Sequence, residues 1–191
     1  MTVETILSIC LGIGLAASVG FRVFLPLFAL SLASYFSLWE LNDSWLWIGS
    51  TSAVIILGIA TLVEIIAYYI PVIDNALDAI AIPLATLAGT AVMVSTVTDL
   101  SPVITWVLAI IAGGGTATAI KGSASVTRLG STVSTAGFAN PVVSTVETVT
   151  SIVMSIVSIF LPILAIILVL IIFYIVFKLY KKLKPNKPKS S

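Results

Sequence analysis

Seven ionisable side chains lie within or beside apolar stretches of this chain: Arg22, Glu64, Asp74, Asp78, Lys121, Arg128 and Glu147. Arg22 is the most telling. It stands in Gly14-Leu-Ala-Ala-Ser-Val-Gly-Phe-Arg-Val-Phe-Leu-Pro-Leu27, inside an apolar run over residues 6–36. An arginine at bilayer depth costs roughly 2.5–3.5 kcal/mol on insertion scales, so it calls for a buried partner or a water-filled cavity. Asp74 and Asp78 are four residues apart in Pro-Val-Ile-Asp-Asn-Ala-Leu-Asp-Ala-Ile80. The apolar residues around them follow helical spacing, which puts both carboxylates on one face. Acids and bases gathered away from water can relay protons or bind small cations, because burial and neighbouring charge set how tightly each holds its proton.

Each residue also has a purely structural reading. Arg22 could pair with Glu64 or an aspartate only to let a kinked helix insert. Asp74 and Asp78 could face water from an amphipathic helix at the interface. Lys121 and Arg128 could snorkel along their aliphatic stems, and Glu147 could serve the dipole of a helix start.

Other chemistries are absent. The chain has no histidine and one cysteine, Cys10, so no Ser-His-Asp triad and no disulfide within the chain can form. No transition-metal site, cofactor or nucleic-acid partner is expected. Gly12-Ile-Gly14 lacks the rest of a dinucleotide fingerprint, and Lys121-Gly122-Ser123 has lysine and glycine in the wrong order for a P-loop. Nothing in the sequence points to an enzyme.

The elements that must position these residues are membrane helices. Hydrophobic residues make up 59% and charged residues 9%, against about 25% charge in soluble domains; mean hydropathy is +1.21. The fold expected is all-α, a polytopic bundle of about six apolar segments. Residues 5–36 are too long for one span of roughly 20 residues and too short for two full ones. Gly20 and Pro26 interrupt them, which predicts a broken or re-entrant helix near residues 18–26. Trp39, Trp45 and Trp47 surround Glu40, Asn42 and Asp43 as an interfacial loop. A span over residues 47–70 follows, then an apolar stretch opened by Pro83 and ending near Asp99, and another from Pro102 to Lys121. Residues 116–151 are rich in serine and threonine and read as helix packed inside the bundle, since hydroxyls can bond their own or neighbouring helices. The run over residues 142–178 exceeds a bilayer and should kink or divide at Pro162.

Residues 1–178 are read as one integral membrane domain and residues 179–191 as a basic tail. Six of the nine basic residues lie at this end, which places the C-terminus in the cytoplasm and the chain in the cytoplasmic membrane as a multi-pass protein. Met-Thr-Val-Glu lacks a basic signal-peptide start, so the first apolar segment is expected to be retained. Gly12-x-Gly14-x-Ala16 with Arg22, and Gly113-Gly-Gly115-x-Ala117 with Lys121, hint at a duplication into halves 1–98 and 99–178. The competing explanation is that small residues recur wherever membrane helices pack closely.

Gly14-Leu-Ala-Ala-Ser-x-Gly-Phe-Arg-x-Phe-Leu-Pro26, Glu64, Ile70-Pro-Val-Ile-Asp-x-x-Leu-Asp-Ala-Ile80, Pro83 and Ala88-Gly89 together resemble a family of small bacterial integral membrane proteins catalogued as domain of unknown function 4126. The resemblance covers most of the chain and implies an all-helical membrane protein without a defined activity. The chain departs from the family pattern at Tyr68-Tyr69-Ile70 and Ala81-Ile82, where basic residues are common, and at Asn75, where histidine is common.

The function expected is transport or conduction of a small solute or ion through a polar site built from Arg22, Glu64 and the other charged residues. Serines and threonines between residues 116 and 150 would line the path. The alternatives are a lipid flippase or scramblase and a non-transporting scaffold or assembly factor. Partners would be the bilayer, the unidentified solute, ion or lipid, and copies of the chain in a homo-oligomer. An enclosed cavity would favour transport, a side-opening groove lipid handling, and a dry packed interior the scaffold.

Overall fold

A computed structural model describes residues 2–135 and 138–183, and among these the chain is helical with no strand. The helices are α1 (Val3–Val19), α2 (Phe24–Tyr35), α3 (Thr51–Ala67), α4 (Pro71–Thr96), α5 (Pro102–Leu108), α6 (Gly115–Thr135), α7 (Asn140–Phe160) and α8 (Pro162–Leu183). A short 3-10 helix (Asp43–Gly49) precedes α3, and a π-helical stretch (Ala109–Gly114) joins α5 to α6. Residues 184–191 of the expected tail lie outside the described residues.

Local sequence explains most boundaries. Thr2 accepts the Thr5 N–H at the start of α1, and Ser50 accepts that of Ala53 at the start of α3. Proline opens α4, α5, α7 and α8, where a missing N–H costs no helical bond. After α2 the chain closes on itself: Ser37 adopts a left-handed φ of 56° and Leu38 donates to the Ala33 carbonyl, a Schellman-type stop. The predicted break near residues 18–26 is present as the turn between α1 and α2, and the one at Pro162 is present at Leu161.

Two boundaries differ from the sequence reading. Pro83 does not start a segment; it lies inside α4, which runs on through it. Membrane helices tolerate this because neighbouring groups re-satisfy the freed backbone. The stretch over residues 47–70 is not one straight span, since the 3-10 helix meets α3 at 65°. Pro83 lies inside a helix and Pro162 opens one, so these two prolines do not mark matching segments of the suggested halves, and the duplication is not confirmed.

Among the described residues, three helices are long and apolar enough to cross a membrane: Ala76–Thr96, Pro102–Thr135 and Asn140–Phe160. A fourth is added if the bent pair is one span, and α1, α2 and the Pro162–Lys178 part of α8 are shorter apolar helices. About six spans is thus not confirmed by length and composition. Many large apolar side chains are exposed, while charged ones are buried beside the apolar core. Arg22 is 0% exposed, whereas Leu62 is 62% and Val133 88% exposed. Apolar outer helix faces around polar interior groups are the arrangement of a multi-pass membrane protein.

The bundle has two ends. At one, Asn42 bonds to Ser95 and Val97, Thr5 to Asp99, and Trp39 to the Ile159 carbonyl. At the other lie the α1–α2 turn, the α3–α4 connection and the start of α7, linked by Glu64 to Val23 and by Tyr69 to Thr145. Close packing holds α4 against its neighbours. A Cβ on Gly113 would collide with the Gly89 carbonyl, so glycine is required there, while one on Gly12 would press on the Met93 and Thr96 side chains.

Candidate functional site

All seven ionisable residues converge near the second end of the bundle. Arg22 comes from the α1–α2 turn, Glu64 from α3, Asp74 and Asp78 from α4, Lys121 and Arg128 from α6, and Glu147 from α7. At their centre is Tyr68, which caps the C-terminus of α3. The guanidinium carbons of Arg22 and Arg128 lie 4.1 and 4.5 Å from its ring centroid, and Lys121 Nζ lies 5.2 Å away. Such cation–ring contacts strengthen when desolvated.

Arg128 is the most heavily paired cation. Its Nε donates to Glu147 Oε1 at 3.0 Å and Oε2 at 3.2 Å, its Nη2 donates to Glu147 Oε2, and its Nη1 donates to Asp74 Oδ1. Asp78 Oδ2 stands 4.0 Å from the same Nη1. The interfacial reading therefore fails for Asp74, which is 2% exposed and paired. Asp78 keeps a partly exposed side chain, although its Oδ1 is buried without a hydrogen-bond partner. Nor do Lys121 and Arg128 snorkel, since both are buried. Glu147 serves Arg128 from the third turn of α7 rather than the helix start.

Arg22 does not pair with Glu64. Its Nε donates to Thr148 Oγ1 at 2.9 Å, and Nη2 donates to the Ser144 carbonyl at 2.8 Å and to Ser144 Oγ at 2.5 Å. Nη1 has no hydrogen-bond partner and lies 3.8 Å from Glu147 Oε2. Glu64 does something else: its two carboxylate oxygens accept the backbone N–H groups of Val23 at 2.7 Å and Phe24 at 3.0 Å. The helix start of α2 has no side-chain cap of its own, and a carboxylate from α3 supplies the missing acceptor and complements the dipole. Lys121 Nζ donates to Tyr68 Oη at 3.3 Å and enters no salt bridge among the described residues.

A hydroxyl seam leads away from Arg22 between α1 and α7. Ser18 Oγ is 2.9 Å from Ser151 Oγ and 2.7 Å from Ser155 Oγ, and all three residues are buried. Ser144, Thr148, Ser151, Ser155 and Ser158 recur at alternating steps of four and three residues, so they share one face of α7. The buried serines and threonines thus concentrate on α7, partly beyond residue 150. On α6, by contrast, Ser123 and Thr127 bond their own helix on its exposed side.

Beside the charged group lies a groove of ≈ 450 Å³ bounded by the start of α2, by α3 and by α4. Phe24, Ala60, Leu77, Ala81 and Leu84 line it, with Glu64 and Tyr68 in the same wall. Ile56, Ile59 and Val63 also line it and are exposed on the outer face of α3. The groove therefore opens sideways, toward the surface that meets lipid. The sequence marked Tyr68 only as a departure from the family pattern and not as a site residue, but it follows Glu64 by four residues and so shares its helix face.

Comparison with known proteins gives one family match: the model described as domain of unknown function (DUF4126) covers residues 9–182. No curated protein and no solved structure matches the chain.

Proposed function

We propose, for a chain that belongs to the family described as domain of unknown function (DUF4126), that it moves a small solute or ion across a membrane. Arg22, Glu64, Asp74, Asp78, Lys121, Arg128 and Glu147 form the polar site of this reading. One observation supports it above others: residues from five separate segments, all ionisable, meet around a single tyrosine in a bundle with an apolar exterior. Stability alone has a simpler solution, because apolar residues of similar volume often replace buried ion pairs at no loss. The group is also incompletely satisfied. Arg22 Nη1 and Asp78 Oδ1 lack hydrogen-bond partners, and Lys121 lacks an ion pair among the described residues. The hydroxyl seam on α7 extends the polar interior away from Arg22.

In this reading the protein performs no bond-making chemistry. The shorter helices α1, α2 and α8 cross the membrane with the longer ones, as about six segments would require. Lys178 and Lys181 stand in the last two turns of α8, at the end that lies with the charged group, so the positive-inside rule orients that end to the cytoplasm. Homo-oligomerisation belongs to the proposal too: Gly115, Gly122 and Gly130 on α6 each face open space.

A second reading, lipid handling, is favoured by the groove that opens beside α3. Reconstitution into vesicles separates the two. Flux of ions or small solutes above that of empty vesicles supports transport. Scrambling of a fluorescent phospholipid without such flux moves the assignment to lipid handling. Neither activity, with folded protein, leaves the scaffold.

A further inference from the structure

We propose that the groove between α3 and α4 binds a lipophilic organic cation, an amine or onium group on a bulky apolar body, with Glu64 as its counter-ion. This rests on the transport reading and names a substrate class for it.

The groove's size and lining suit an apolar body. An engineered apolar cavity of about 150 Å³ stays dry and takes an aromatic guest, and this space of ≈ 450 Å³ is larger and lined almost throughout by apolar side chains. Its single charged lining residue is Glu64, which is 7% exposed. Each Glu64 oxygen accepts one backbone N–H, while a carboxylate offers about four acceptor positions, so capacity remains on the groove side. Glu64 also enters no salt bridge among the described residues.

Charge balance points the same way. Arg22, Lys121 and Arg128 match Asp74, Asp78 and Glu147 in number, which leaves Glu64 as the surplus negative group of the seven. None of the three cations lines the groove; they lie against the Tyr68 ring. A cation in the groove would meet the Glu64 carboxylate directly in the wall, whereas an anion would meet that carboxylate first, with the three cations set back against the Tyr68 ring and tied to partners there. Access decides between hydrated and lipophilic cations. The mouth is formed by Ile56, Ile59 and Val63 on an outward apolar face, so a ligand arriving there must already be dissolved in hydrocarbon.

The test is equilibrium binding of tetraphenylphosphonium to the full chain in phosphatidylcholine nanodiscs, with tetraphenylborate as an anion of the same shape. Saturable binding of the cation and none of the anion is expected. Glu64→Gln should weaken binding about tenfold or more, equivalent to at least 1.4 kcal/mol. Because Glu64 also caps α2, a second variant is needed: Ala60→Phe fills the groove without touching either hydrogen bond and should abolish binding. Anion binding as tight as cation binding overturns the proposal. So does a native level of binding in both variants, or no saturable cation binding at all. Saturable binding without flux of the cation would overturn the transport reading and leave the site standing. Flux of an inorganic ion without cation binding would do the reverse.

Discussion

Replacing Arg128 with methionine should be the most damaging single change in the charged group. The guanidinium bonds Asp74 and Glu147 directly and stands 4.0 Å from Asp78. Methionine removes all of these and leaves buried carboxylates facing one another. Breaking a buried pair by deleting one partner costs about 3–5 kcal/mol, mostly because the remaining charge is uncompensated. For a chain of this size that corresponds to a fall in Tm of roughly 10 °C. Glu147→Gln should cost less, about 1–3 kcal/mol, because Arg128 keeps Asp74 and Glu147's other cationic neighbour, Arg22, keeps its bonds to Ser144 and Thr148. The diagnostic variant is the triple change Arg128→Met, Asp74→Asn and Glu147→Gln, which removes the charges together and should recover most of the loss. Thermal unfolding in one detergent, followed by Trp fluorescence, measures the native chain and all three variants. The reasoning is refuted if Arg128→Met stays within about 1 kcal/mol of the native chain, or if the triple variant is no more stable than the single one.

Three further outcomes follow from the same geometry. Tyr68→Phe keeps the ring under the three cations and loses one long hydrogen bond, so it should cost about 1 kcal/mol or less, whereas Tyr68→Ala should cost several times that; unfolding midpoints compare them. Gly113→Val drives a side chain into the Gly89 carbonyl and should destabilise by about 1–3 kcal/mol, while Gly122→Ala, facing open space, should be neutral or stabilise by up to about 1 kcal/mol. Ser18→Val removes the hydroxyl shared by Ser151 and Ser155 and should cost about 0.6–1.7 kcal/mol, the range of interhelical hydrogen bonds in membrane proteins, read in the same unfolding assay.

Much of this architecture was legible because its signals are local. Charge inside an apolar run marked all seven residues, and Gly20 and Pro162 marked two breaks. Who pairs with whom was not legible. Arg22 and Glu64 looked like natural partners, yet the open N-terminus of α2 claims the Glu64 carboxylate while α7 brings Ser144, Thr148 and Glu147 to Arg22. That competition is settled by helix packing, which no periodicity encodes. Pro83 misled for a related reason: proline is a strong boundary signal in isolation, but α4 is held on both sides by packed neighbours. Tyr68 was missed because an aromatic residue near the end of an apolar helix is ordinary membrane sequence. Only its spacing of four from Glu64 distinguished it.

The central claim is that the buried charges form a working pathway rather than a structural knot. It is tested most directly by comparing ion- and solute-evoked currents in proteoliposomes for the native chain, Arg22→Ala and Glu64→Gln, with folding of each protein checked by its unfolding transition. The account predicts a native current that both folded variants lose. A native current retained in both would contradict it, and would reduce Arg22 and Glu64 to the groups that hold α7 and α2 in place.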